Sequence, residues 1–129
     1  MQKHSAKDET GCSKGDEEVF DQLIALNQRA FGLGRFSAAY HALAAAQSWA
    51  SGDKDGGQLA IVENLAREEL QWIDLHAPGY EHSSKSAGLR GHRSIFMNLE
   101  HQAHTARQGI DSRHHFEKLR RFRALNELH

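Results

Sequence analysis

Ten histidines are the first residues of this 129-residue chain that invite a chemical reading, because a neutral imidazole ligates metals and exchanges protons near neutral pH. Glu100, His101 and His104 lie close together, and residues three apart on a helix are neighbours, so two imidazoles can share one face there. A zinc or iron centre needs three or four converging ligands. The chain has neither the Glu-x-x-His pairs of helix-bundle di-iron sites nor the His-Glu-x-x-His of zinc hydrolases. Both histidines are therefore expected on an ordinary polar face, with no metal. No glycine-rich phosphate loop is present, and Cys12 stands in a polar leader without the context of a nucleophile. No cofactor is expected.

The last segment offers different chemistry. Arg113, His114, His115, Lys118, Arg120, Arg121 and Arg123 stand against Glu117 alone, which makes a basic amphipathic helix. Such a helix meets nucleic-acid phosphate, an anionic membrane surface or an acidic protein. The other reading docks it on a bundle by Phe116, Leu119, Phe122 and Leu125, its arginines facing water or the acidic half of the chain. Lys118, Arg120, Arg121 and Arg123 are the partner-binding candidates.

Arg35 and His41, with five residues between them, resemble the Arg-x4–6-His motif of the all-helical HEPN family, some of whose members cleave RNA. The resemblance implies a dimer groove in which His41 exchanges protons with the 2′-hydroxyl or the leaving oxygen. Arg35 would stabilise charge on the scissile phosphate.

The elements that must position these residues are helices. At 39% hydrophobic and 26% charged residues with one proline, the chain fits a single all-α domain, and one cysteine excludes an internal disulfide. Residues 1–15 mix charge, Ser and Gly without apolar periodicity and are expected to be a disordered leader, with residues 16–129 one helical domain. No run approaches the roughly 18 apolar residues of a membrane span, and no signal peptide is recognisable. The expected location is cytoplasmic. The net charge of −1 hides an asymmetry: ten Asp and Glu against four Lys and Arg from Asp16 to His76, then five against nine from Ala77 to His129.

Phe20, Leu23, Ile24, Ala30 and Phe31 recur at helical spacing behind an Asp16 cap, and Gly32 and Gly34 end that helix. Phe36, Ala39, Leu43 and Ala46 start a second helix almost at once. Asp55 followed by Gln58 reads as a capping box for a third, which buries Leu59, Val62, Leu65, Ala66, Leu70 and Ile73, keeps Glu63 mostly elsewhere and stops before Pro78. Residues 77–91 read as a long mobile connection that Tyr80 can anchor. A fourth helix buries Ile95, Phe96, Leu99, Ala103 and Ala106 and breaks at Gly109, and a fifth, capped by Asp111 or Ser112, carries the basic residues. The expected fold is an antiparallel bundle of four main helices plus a C-terminal basic helix.

Leu26, Phe31, Gly34, Phe36, Ala39, Leu43 and Ala46 resemble the spaced signature of a tetratricopeptide repeat over Leu23 to Ser51. In such a hairpin the alanines lie where the helices come closest. Asn27 departs from the pattern by standing where a small residue is preferred, Leu23 stands in place of tryptophan, and no proline comes after the second helix. A single unit lacks stacked neighbours, so apolar surface is left over and a dimer is expected. The sequence thus points to a non-catalytic protein-interaction or assembly module. The alternative is a small RNA-binding or RNA-cleaving helical domain that uses Arg35 and His41, with nucleic acid the less favoured partner.

Overall fold

A computed structural model of the chain describes residues 14–127. The leader, apart from Lys14 and Gly15, lies outside the described residues. Five helices occur in order: α1 (Lys14–Gly32), α2 (Phe36–Gly52), α3 (Gly56–His76), α4 (Ser84–Leu89) and α5 (Ile95–Glu127), with no strand among the described residues. Because α1 already includes Lys14, Asp16 lies within the helix and not at its cap.

The turn from α1 to α2 is made by Gly34, whose φ of +81° is the left-handed conformation that glycine adopts without a steric cost. The Arg35 N–H closes back on the Ala30 carbonyl at 2.9 Å. Beyond the turn the helices run antiparallel: Phe31 meets Phe36 with ring centroids 5.1 Å apart, Asn27 reaches the Ala39 carbonyl, and Phe20 shares a buried cluster with Leu43, Ala46 and Ala50. Ala39, Ala42, Ala46 and Ala50 are all buried, so the alanine-rich stretch is where neighbouring backbones approach.

Helix α3 starts as its residues demand. The Gln58 N–H donates to Asp55 Oδ1 at 3.0 Å, but the reciprocal half of the capping box is not made, since buried Gln58 Oε1 has no partner among the described residues. Leu59, Val62, Ala66, Leu70 and Ile73 face the core. Glu63, expected away from the core, is buried, and so is Glu69.

The 77–91 connection is structured, which corrects the expectation of a mobile loop. The Tyr80 hydroxyl lies 2.6 Å from Ser37 Oγ, and Ser83 Oγ donates to the Pro78 carbonyl at 2.7 Å while accepting from the Ser86 N–H as cap of α4. Asp74 accepts from both the N–H and the hydroxyl of Ser84. Short serine-to-backbone bonds of this kind give the chain an ordered path, and buried Ala87 and the packed Tyr80 ring tie it to the bundle.

The main core joins all the long helices: Phe20, Leu43, Ala46, Leu59, Val62, Ala66, Leu99, Ala103 and Ile110 form one buried cluster. A smaller cluster of Leu70, Ile73 and Phe96 is flanked by Phe31, Phe36, Tyr40 and Tyr80. Each fully buried Leu or Phe contributes about 1.5–3 kcal/mol.

The principal departure from expectation is at Gly109. No break occurs there; α5 is a single 33-residue helix, so the C-terminal basic helix is the continuation of the fourth main helix. An interior glycine costs a helix only about 1 kcal/mol, and buried Ile110 just beyond it holds the backbone in register.

Candidate functional site

Helix α5 leaves the bundle after Ile110. Every residue from Asp111 to Arg123 is exposed, whereas Ile110 is buried. Helix geometry of about 1.5 Å per residue makes the overhang from Asp111 to Glu127 roughly 25 Å long. Phe116, Leu119 and Phe122 are 73%, 49% and 64% exposed. Of the apolar stripe expected to dock the segment on its own bundle, these three side chains are therefore left facing solvent. Lys118, Arg120, Arg121 and Arg123 are exposed on the same overhang, and Arg120 and Arg121 share a shallow groove with Glu117 and Ala124. Three apolar side chains at successive spacings of three, bordered by cations, form a surface suited to packing along another helix.

The overhang is held at its root by an ionic cluster between α3 and α5. Glu63 Oε1 accepts from Arg107 Nη2 at 2.8 Å and from Arg107 Nε at 3.2 Å, while Oε2 lies 3.0 Å from His104 Nδ1 and 3.4 Å from Arg67 Nη2. Arg67 Nε in turn donates to Glu100 at 3.1 Å. Burial pushes the Glu63 carboxyl up, but the hydrogen bonds and charges of Arg107 and His104 outweigh it and hold the group below its ordinary value. The α3 carboxylate thus gathers cations from two helices and fixes where α5 crosses.

A groove of about 530 Å³ opens beside this cluster, lined by Glu63, Arg93, Met97, Glu100, His101 and His104. His101 is exposed, but His104 is engaged with Glu63, which makes it more than the plain polar-face residue expected. Among the described residues no three His, Cys, Asp or Glu side chains are gathered as a metal site.

A second buried polar pair lies between α1 and α3. Asn27 Nδ2 donates to the Ala39 carbonyl at 2.8 Å and to Glu69 Oε1 at 3.1 Å, while Asn27 Oδ1 has no partner among the described residues. Burial pushes the Glu69 carboxyl up to about 7, with the Asn27 bond opposing and the charge of Glu68 adding to the rise.

Arg35 precedes α2 and His41 lies within it, and both are exposed. Neither lines the groove beside Glu63, and the His41 ring packs on its neighbour Tyr40 with centroids 5.3 Å apart. A different surface is acidic: Glu17, Glu18 and Asp21, with Gln22 and Ala25, line a groove of about 480 Å³ on α1.

Glu63, Arg107, Asn27 and Glu69 escape sequence reasoning as structural residues. One signal was available for Glu63, since Arg67 stands at the four-residue spacing of a helical ion pair. Another was Asn27, a polar residue on an apolar face. Among the described residues no helix is long and apolar enough to cross a membrane. No protein-family model matches the chain, and no solved structure matches it.

Proposed function

We propose that this protein is a non-catalytic helical assembly module that self-associates through the α5 overhang. The observation that carries this reading is the exposure of Phe116, Leu119 and Phe122 on a helix that extends clear of its own bundle. A contiguous apolar stripe in water is unfavourable, and a partner that covers it recovers the burial energy that the monomer forgoes. The bundle serves as the platform, with Glu63 gripping Arg107 at the point where the overhang begins.

The same exposure bears on the alternative, because an RNA-binding helix also needs free cations and aromatic rings. The spacing of Phe116, Leu119 and Phe122 favours a helix partner, as these side chains form one stripe instead of a flat platform for stacked bases. Replacing Arg120 and Arg121 by Ser tests the two readings together. Assembly predicts a change in oligomer mass with negligible RNA binding at physiological salt. Micromolar or tighter RNA affinity that disappears in this double variant, with mass unchanged, contradicts it.

A further inference from the structure

We infer that the partner is a second copy of this chain, related by a twofold axis perpendicular to the helices, and that each overhang lies parallel to the outer face of α3 in the other copy. This rests on the assembly reading above and names the surface that the overhang meets.

Helix α3 buries Leu59, Val62, Ala66, Leu70 and Ile73 on one side, yet its opposite side is not uniformly polar. Ile61, Leu65, Glu68, Trp72 and Leu75 follow one another at spacings of four, three, four and three, the repeat that keeps one line of side chains facing a partner helix. Ile61, Glu68, Trp72 and Leu75 are exposed, and Leu65 is half-buried. On the overhang, Ser112, Phe116, Leu119 and Arg123 stand at the same four, three and four, with Phe122 on the neighbouring row. One constant offset sets Ser112 level with Ile61, Phe116 with Leu65, Leu119 with Glu68 and Arg123 with Trp72.

Charge selects this face over a second overhang. Two overhangs side by side would set five Lys and Arg against another five, and like charges facing each other are unfavourable. The α3 line carries one charge, Glu68, which is in no ion pair among the described residues. Arg67, the one cation on α3, is engaged with Glu63 and Glu100. At the stated offset Lys118 and Arg120 stand one residue, about 1.5 Å, to either side of Glu68. Arg123 comes against the Trp72 ring, one turn from the same carboxylate.

The fold dictates the orientation. The start of α3 at Gly56 lies beside Arg107 and Asp111, and Ile73 near its end clusters with Phe96, so α5 runs antiparallel to its own α3. The overhang therefore points away from its own α3 face, and only another molecule can bring the two together. A perpendicular twofold axis reverses the second copy, which makes its α3 parallel to the first overhang. The line from Ile61 to Leu75 is roughly 21 Å long at about 1.5 Å per residue, and the overhang of roughly 25 Å spans it. The contact is made twice, once in each direction, so it closes at the dimer.

A charge swap within one chain tests this, because each contact joins position 68 of one copy to position 123 of the other. Both side chains are exposed, and circular dichroism checks that the variants stay helical. Sedimentation of Glu68→Lys alone and of Arg123→Glu alone is expected to show dimerisation weakened about tenfold. The double variant, with opposite charges restored across the contact, is expected to dimerise at least threefold more tightly than either single one. Ile61→Ser with Leu75→Ser, which changes no charge, is expected to weaken the dimer as well.

If Glu68→Lys dimerises as tightly as wild type, or if the double variant is no tighter than the single ones, the inference is overturned. A wild-type mass that grows beyond the dimer with concentration also overturns it, since the contact then fails to close. The assembly reading has a separate readout: Phe116→Ser with Phe122→Ser removes the stripe and leaves every charge in place. Loss of the dimer in that variant, with no effect of the α3 variants, keeps the assembly reading and rejects the α3 surface.

Discussion

The Arg107 guanidinium on α5 forms two hydrogen bonds with one oxygen of Glu63 on α3, four residues before the helix leaves the bundle at Asp111. With His104 on the second carboxylate oxygen, this contact fixes the crossing of the two helices and so the direction in which the overhang points. A carboxylate this buried depends on its partners. Replacing Glu63 by Gln removes charge-assisted bonds and leaves Arg107 less well matched, and is expected to lower stability by about 1–3 kcal/mol in urea titration. The lowered value of Glu63 means that its contribution is present above about pH 4.5 and is lost as the pH falls below it. Glu63→Gln should flatten that acid limb.

Glu69 predicts the opposite slope in a different window. Its folded-state value of about 7 lies above the ordinary 4.5, so the unfolded chain loses its proton first as the pH rises. Stability should therefore fall between about pH 4.5 and 7, by roughly 3 kcal/mol at 1.4 kcal/mol per unit, and level off above. Glu69→Gln should remove this decline and stabilise the protein at pH 8, since an amide there carries no charge and can donate to the orphaned Asn27 Oδ1. Unchanged stability profiles between pH 5 and 8 in the variant would refute the assignment.

The close approach at α2 is tested by volume. Ala39 and Ala42 are buried in the alanine-rich face, and either residue changed to Leu should destabilise the fold by roughly 1–3 kcal/mol, because the added side chain forces packed backbones apart. Equal urea midpoints for wild type and both variants would count against that packing.

Gly109 is the weakest point of the continuous α5. A Cβ added there meets nothing within 4 Å, so Gly109→Ala should strengthen the helix by about 0.5–1 kcal/mol. Amide exchange from Arg113 to Arg121 should slow by roughly two- to fivefold. Faster exchange in the variant would show that residue 109 is a helix end.

How far each feature can be read from the residues depends on whether its cause is local. The helices, the Gly34 turn and the Asp55 cap are legible because spacing and side-chain chemistry within a few residues decide them. Gly109 is not, because a glycine ends a helix or sits inside it according to how the adjoining residues pack, here buried Ile110. The stripe of Phe116, Leu119 and Phe122 is visible in sequence, but its spacing is the same whether it faces its own bundle or another chain. Glu63 reads as a polar-face residue until Arg107 and His104, more than 40 positions away, are seen to reach it. Asn27 is visible only as a departure from the repeat pattern, and the reason for it, a bond to Glu69 across 42 positions, lies in the tertiary fold.

Sedimentation equilibrium on the wild-type chain and on a Phe116→Ser, Leu119→Ser, Phe122→Ser variant, each at tens of micromolar, tests the central claim most directly. All three side chains are exposed in the monomer, so their loss should leave the bundle folded by circular dichroism. A wild-type mass of twice the 14.5 kDa chain, falling to 14.5 kDa in the variant, is the predicted result. A wild-type protein that remains monomeric, or a variant whose dimer is unchanged, would contradict assembly through the overhang.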